Sequence, residues 1–230
     1  MSRIIDRANI ILALFKKQKI EVYRNPKMLF MYLIFPLMAL FYSLLDANNA
    51  NIYLFINMDI IMPAITCTSS TIGEEREKGT LRSLVFGGVH PLEFFGGTGM
   101  FLILLNFISV CILGIVCGSE DDSTYVLLLS LLSIIISTLI GAIIGMLSKN
   151  QSSIAAVSAP VSLGIGMLSV AGSVNTNVHW FTKFMYSQAV FDSFTKHSIS
   201  KFSSIVLTTN FLILFALFAI VYIKQNKVDE

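Results

Sequence analysis

The residues most able to do chemistry lie in one short stretch. Positions 73–82 read Gly-Glu-Glu-Arg-Glu-Lys-Gly-Thr-Leu-Arg, the densest run of charge in the chain, set between apolar segments at 52–72 and 94–117. A glycine, a lysine, a second glycine and a threonine within eight positions superficially suggest a phosphate-binding loop, but that motif needs Gly-Lys-Ser/Thr in succession. Here Lys78 precedes Gly79. Glu74 and Glu75 would also repel phosphate where backbone N–H groups should cradle it. If nucleotide drives this protein, a separate chain must hydrolyse it. Elsewhere the reactive groups are scattered. His90, His179 and His197 share no metal-ligand spacing. Cys67, Cys111 and Cys117 sit inside apolar runs and read as buried apolar residues rather than as ligands or a disulfide pair. The many serines and threonines come with no histidine or lysine base inside the apolar runs. Asp59 is the one clear acid within such a run, and an aspartyl protease would want two. An enzyme is thus the weak alternative. A secondary transporter or channel that binds a cation or proton at Asp59 is the stronger one.

The elements that must hold these residues are membrane spans. Of 230 residues, 55% are hydrophobic and only 13% charged, against roughly 25% charged in an ordinary soluble domain. Several apolar runs are long enough to cross a bilayer, and a net charge of +2 gives no argument for a nucleic-acid partner. Each charge in hydrocarbon costs about 2.5–3.5 kcal/mol on insertion scales. Residues 73–91 must therefore form a water-facing elbow between two spans. Glu74 and Lys78 are spaced i,i+4 in the favourable order for a helix, and Gly79 offers a helix end. The spacing predicts a short helix with a surface for another protein.

In chain order, Ile4, Ile5, Ala8, Ile11, Leu12 and Phe15 recur at helical spacing, and a basic stretch from Lys16 to Lys27 follows. This predicts an interfacial helix over 3–23, its basic residues facing anionic headgroups. Six spans follow, at about 28–45, 52–72, 94–117, 125–147, 154–171 and 204–223, with an outer re-entrant segment at 172–203. The whole chain, 1–230, reads as one all-α transmembrane domain. With both termini inside, all but Lys183, Lys196 and Lys201 of the 16 lysines and arginines fall on the cytoplasmic side, together with the elbow. The acidic loop at 119–123 falls outside. The second span is the most polar, and polar groups persist in a membrane where they face protein or water. Asn57, Asp59, Thr66 and Ser70 are therefore the expected lining of a path, Asp59, Thr66, Ser70 and Gly73 lying on roughly one helix face. His179, Trp180, Phe181, Phe184 and Tyr186 form an aromatic cluster expected at the outer interface or gate.

Two stretches resemble a known family. Glu75-Arg76-Glu77-Lys78-Gly79-Thr80-Leu81 after a second span, followed by Arg82-Ser83-Leu84 and Pro91-Leu92-Glu93, resembles the permease subunits of type-2 ABC exporters. The run from Gly141-Ala142-Ile143-Ile144-Gly145 to Lys149-Asn150-Gln151 is similar to that family's glycine-rich fourth span and following turn. Two departures are Asn57-Met58-Asp59 with a later Pro63, where members often have Pro-Gly, and Gly96-Gly97-Thr98, where many have a lysine. The resemblance implies that the elbow is a coupling helix, with Glu74, Glu75, Arg76, Glu77, Lys78, Gly79, Thr80, Leu81 and Arg82 docking on an ATP-binding subunit. It implies two copies of that subunit, ATP and Mg bound there and no cofactor on this chain, and a second permease as homo- or heterodimer. The small size and short outer loops resemble permeases that export or expel peptides, such as toxins or bacteriocins; lipid, drug or polysaccharide export is the alternative. Richness in Ile, Lys and Asn points to an AT-rich bacterial genome, and the expected location of the spans is then a bacterial plasma membrane.

Overall fold

The computed structural model describes residues 2–44, 52–117, 123–148, 150–196 and 198–224, and no strand occurs among them. Helix α1 (Ser2–Arg24) meets α2 (Pro26–Leu44) at Asn25-Pro26 with a bend of 80°. Proline has no N–H to continue the first helix and its fixed φ suits the start of the second. Then come α3 (Ile52–Glu77), α4 (Thr80–Phe86), α5 (Pro91–Phe94), a single π-helical turn (Phe95–Gly99) and α6 (Met100–Cys117). The chain continues through α7 (Ser123–Leu147), α8 (Gln151–Val174), α9 (Thr176–Thr182), α10 (Tyr186–Thr195) and α11 (Lys201–Lys224).

Four described helical stretches are long and apolar enough to cross a membrane: Pro91–Ile115, Val126–Leu147, Gln151–Val174 and Lys201–Lys224. The bent pair α1–α2 makes five if it counts as one span. This is fewer than the six spans expected. The difference lies in α2, which qualifies only together with α1, and in α3. Helix α3 carries Asn57, Asp59 and a run of hydroxyl residues, and it is wrapped by protein instead. It packs against α7 and α8 most extensively, and also against α2, α6 and α10. Ile56, Ile60, Ile61 and Ile65 of α3 enter the largest core cluster beside Val110, Leu129, Ile134 and Phe194. By contrast only 17% of the α11 stretch is buried, so its apolar surface faces outward.

The close approach of α7 to α3 depends on two glycines. A Cβ at Gly141 would lie 2.6 Å from the Ile65 carbonyl oxygen, and one at Gly145 would lie 2.7 Å from that of Ser69. The Gly-x-x-x-Gly spacing thus serves packing within the chain. Gly97, in the π turn, does the same for α1, whose Leu14 occupies the space a side chain would need.

The expected outer segment folds as two short helices. Helix α10 is buried along most of its length and packs on α8, α11, α3 and α7, while α9 lies against α8. The acidic loop at 119–122, Lys149 and His197 lie outside the described residues.

Candidate functional site

The charged stretch does not form a helix of its own. Glu74, Glu75, Arg76 and Glu77 extend α3 by a final turn, and the helix ends at Gly79 in the left-handed conformation, φ 71°, where a residue without Cβ is least strained. Thr80 Oγ1 donates to the Glu75 carbonyl oxygen at 2.9 Å, satisfying one of the α3 end groups. The separate short helix is α4. Leu81 and Val85 bury one side of it against Phe94 and Phe218, leaving Lys78, Arg82, Ser83 and Phe86 exposed. The Arg82 guanidinium sits 5.3 Å from the centre of the Phe86 ring.

The nine expected docking residues therefore divide. Glu74 is partly exposed and pairs with Lys78 at 3.3 Å. Glu75, expected at the surface, is only 3% exposed and pairs instead with Lys17 of α1 at 2.9 Å. Its Oε2 is buried without a hydrogen-bond partner. Burial pushes the Glu75 carboxyl above the ordinary carboxylate range, and Lys17 only partly offsets this. Arg76 Nη1 donates to the Ser148 carbonyl oxygen, and Glu77 Oε2 accepts from the Gln151 backbone N–H at 3.3 Å. Both face the α7–α8 turn. Helix α1 holds the elbow's far end too: Arg7 Nε lies 3.4 Å from Glu93 Oε1, while Glu93 Oε2 accepts from the His90 N–H at 2.9 Å.

A cleft of about 570 Å³ opens between α2, α3 and α8 at the same end of the molecule. Thr66, Cys67 and Ser70 form its α3 wall, with Met28 and Met31 opposite, and Asn25, Lys27, Glu74, Gln151 and Ser152 supply most of its polar groups. Of the four expected path residues, Thr66 and Ser70 line it. Asn57 and Asp59 do not. Asn57 Nδ2 donates to Ser169 Oγ at 2.8 Å, and Asp59, with no exposed surface, accepts from Ser109 Oγ at 3.0 Å. The polar stripe of α3 is open only toward its charged end; farther along, α2, α6 and α8 close over it. Lys17, Lys27, Phe86, Gln151 and Ser152 join the expected site residues. Phe86, an aromatic inside a polar elbow, and Gln151, in the Lys149-Asn150-Gln151 turn, each carried a local signal.

The aromatic group expected at the outer interface divides as well. Trp180, Phe181 and Phe184 are exposed, with the Lys183 ammonium 5.3 Å from the Trp180 ring and 5.0 Å from that of Phe184. His179 Nε2 is 3.9 Å from Asp192 Oδ2. Tyr186 points inward, its hydroxyl 2.8 Å from Ser137 Oγ.

A family model described as an ABC-2 family transporter protein matches residues 31–223. No curated protein and no solved structure matches the chain.

Proposed function

The chain belongs to the ABC-2 transporter family and is a transmembrane subunit of an ABC transporter; from that premise we propose that it is half of an exporter driven by two copies of an ATP-binding subunit. The observation that carries this is the exposed face of α4 with the end of α3. Arg82 sits over Phe86 there, which is 65% exposed, the Glu74–Lys78 pair stands at the end of α3, and Leu81 and Val85 anchor the other side of α4. An exposed aromatic ring beside exposed charge suits a protein partner. The basic residues of the same end favour a cytoplasmic position, with both termini inside and the aromatic α9 at the outer interface.

The cleft is the inner mouth of the path, Thr66 and Ser70 being its α3 lining. The second permease, an identical or related copy, completes it across the exposed faces of α2 and α8. The cargo class is peptide. Asn25, Thr66, Ser70, Gln151 and Ser152 offer the donors and acceptors that backbone amides need, and Met28 and Met31 adapt to varied apolar side chains. Lipid, drug or polysaccharide cargo is the competing reading, and proton- or cation-driven transport without ATP the more distant one.

Reversing charge in the pair Lys78→Glu and Arg82→Glu sets like charge against like at the docking face. Recovery of the ATPase–permease complex from membranes should fall roughly tenfold or more, with insertion unchanged. Full recovery together with normal export would remove the docking assignment.

A further inference from the structure

The two sequence stretches that resemble the family are 72 and 74 residues apart at their points of contact, yet they form one joint. Arg76, next to last in α3, donates to the Ser148 carbonyl oxygen just past the end of α7. Glu77, the last residue of α3, accepts from the N–H of Gln151, the first residue of α8. The charges suit the ends they meet, since a helix leaves bare carbonyls at its C-terminus and bare N–H groups at its N-terminus. One turn deeper α3 and α7 meet backbone to backbone, and the Ile154 side chain of α8 fills the space that Gly73 leaves open. A Cβ at Gly73 would overlap Ile154 of α8, and one at Gly145 would lie 3.2 Å from the Gly73 nitrogen. Gln151, Ser152 and Ala155, in the first turns of α8, are also walls of the cleft opposite Thr66 and Ser70.

We propose that Arg76 and Glu77 are positioning residues that fasten the first turn of α8 to the end of α3, so that a displacement of the elbow moves the α8 wall of the cleft. The role presupposes the docking face and cleft proposed above. It removes Arg76 and Glu77 from the docking surface and gives them a different task. Their side chains connect the part of the chain that meets the ATPase to the part that meets the cargo. The glycine contact at Gly73 keeps that connection short and stiff.

The test uses the full complex in lipid nanodiscs, in a chain whose three cysteines are replaced by alanine. One spin label is placed at Ser83 on the exposed side of α4 and another, in a separate preparation, at Ala155 on the cleft wall. Each is read without nucleotide and after trapping with ATP, Mg and vanadate. In the otherwise native chain both labels should change on trapping. In the pair Arg76→Ala and Glu77→Ala, Ser83 should still respond while the response at Ala155 falls roughly tenfold, as expected for losing a charge-assisted contact. Arg76→Lys, which keeps the donor, should restore much of it. An Ala155 response equal to that of the native chain would overturn the proposal. A Ser83 label that never responds, even in the native chain, would instead remove the docking face. If the double variant does not assemble, Glu77→Ala alone decides, since Glu77 is the residue that holds the first residue of α8.

Discussion

At the scale of single residues, the pairing of Glu75 with Lys17 sets a pH-dependent term. A carboxyl whose folded pKa is raised contributes stability that is present below its unfolded pKa and is lost as pH rises through the folded one. Burial raises Glu75 in this way, with Lys17 opposing. At pH 7, Glu75→Gln should therefore melt in detergent at or above the temperature of the native chain, and the gap should close as pH falls and Glu75 takes up its proton. Lys17→Ala should act in the opposite direction, since it leaves the buried carboxylate alone at a cost of about 1–3 kcal/mol. Asp59 gives a second prediction. It is enclosed by α2 and α6 and accepts from Ser109 rather than facing the cleft, so Asp59→Asn should leave export within about twofold while Ser70→Trp, filling the cleft, should abolish it. A strong export loss in Asp59→Asn with an unaltered melting temperature would return Asp59 to the path.

At the scale of elements, glycines decide which helices touch. Gly145→Ala places a Cβ 2.7 Å from the Ser69 carbonyl oxygen, and overpacking of this kind costs about 1–3 kcal/mol. Gly164→Ala meets nothing within 4 Å and gains helix propensity of roughly 1 kcal/mol. Melting should therefore fall for the first and hold or rise for the second, a contrast that helix propensity alone does not give. The same reasoning bears on Gly96-Gly97-Thr98, where the resemblance implied a lysine. At Gly97 the backbone is covered by Ile11 and Leu14 of α1, leaving no room for a side chain.

At the scale of the whole molecule, the cleft is bordered by helices whose outward faces remain apolar. Leu37, Met38 and Phe41 of α2 and Leu163, Met167 and Leu168 of α8 are all exposed. Patches of this kind mark lipid or partner contact, and the proposed second permease covers the side nearest the cleft. Met167→Cys should then cross-link to the second subunit under mild oxidation in the full complex, whereas Ile220→Cys on the outward-facing α11 should not. The reverse pattern would place the permease contact on α11.

The helices themselves were legible from the sequence because their signals are local. Apolar run length, Asn25-Pro26, Gly79 and Pro91 each act within a few residues, and the six expected spans fall on α2, α3, the α5–α6 run, α7, α8 and α11. Family membership was legible for the same reason, being carried by two short contiguous stretches. Which residues share a site was not. Periodicity put Asp59 and Thr66 on one face of α3, but only the packing of α2 and α6 over one end of that face buries Asp59 and leaves Thr66 open to the cleft. The charge run gave no sign that Glu75 turns toward Lys17, 58 residues away, or that Arg76 and Glu77 turn toward the α7–α8 turn. Helical spacing fixes the direction of a side chain from its own axis. What stands in that direction depends on contacts between distant segments, which the tertiary structure alone supplies.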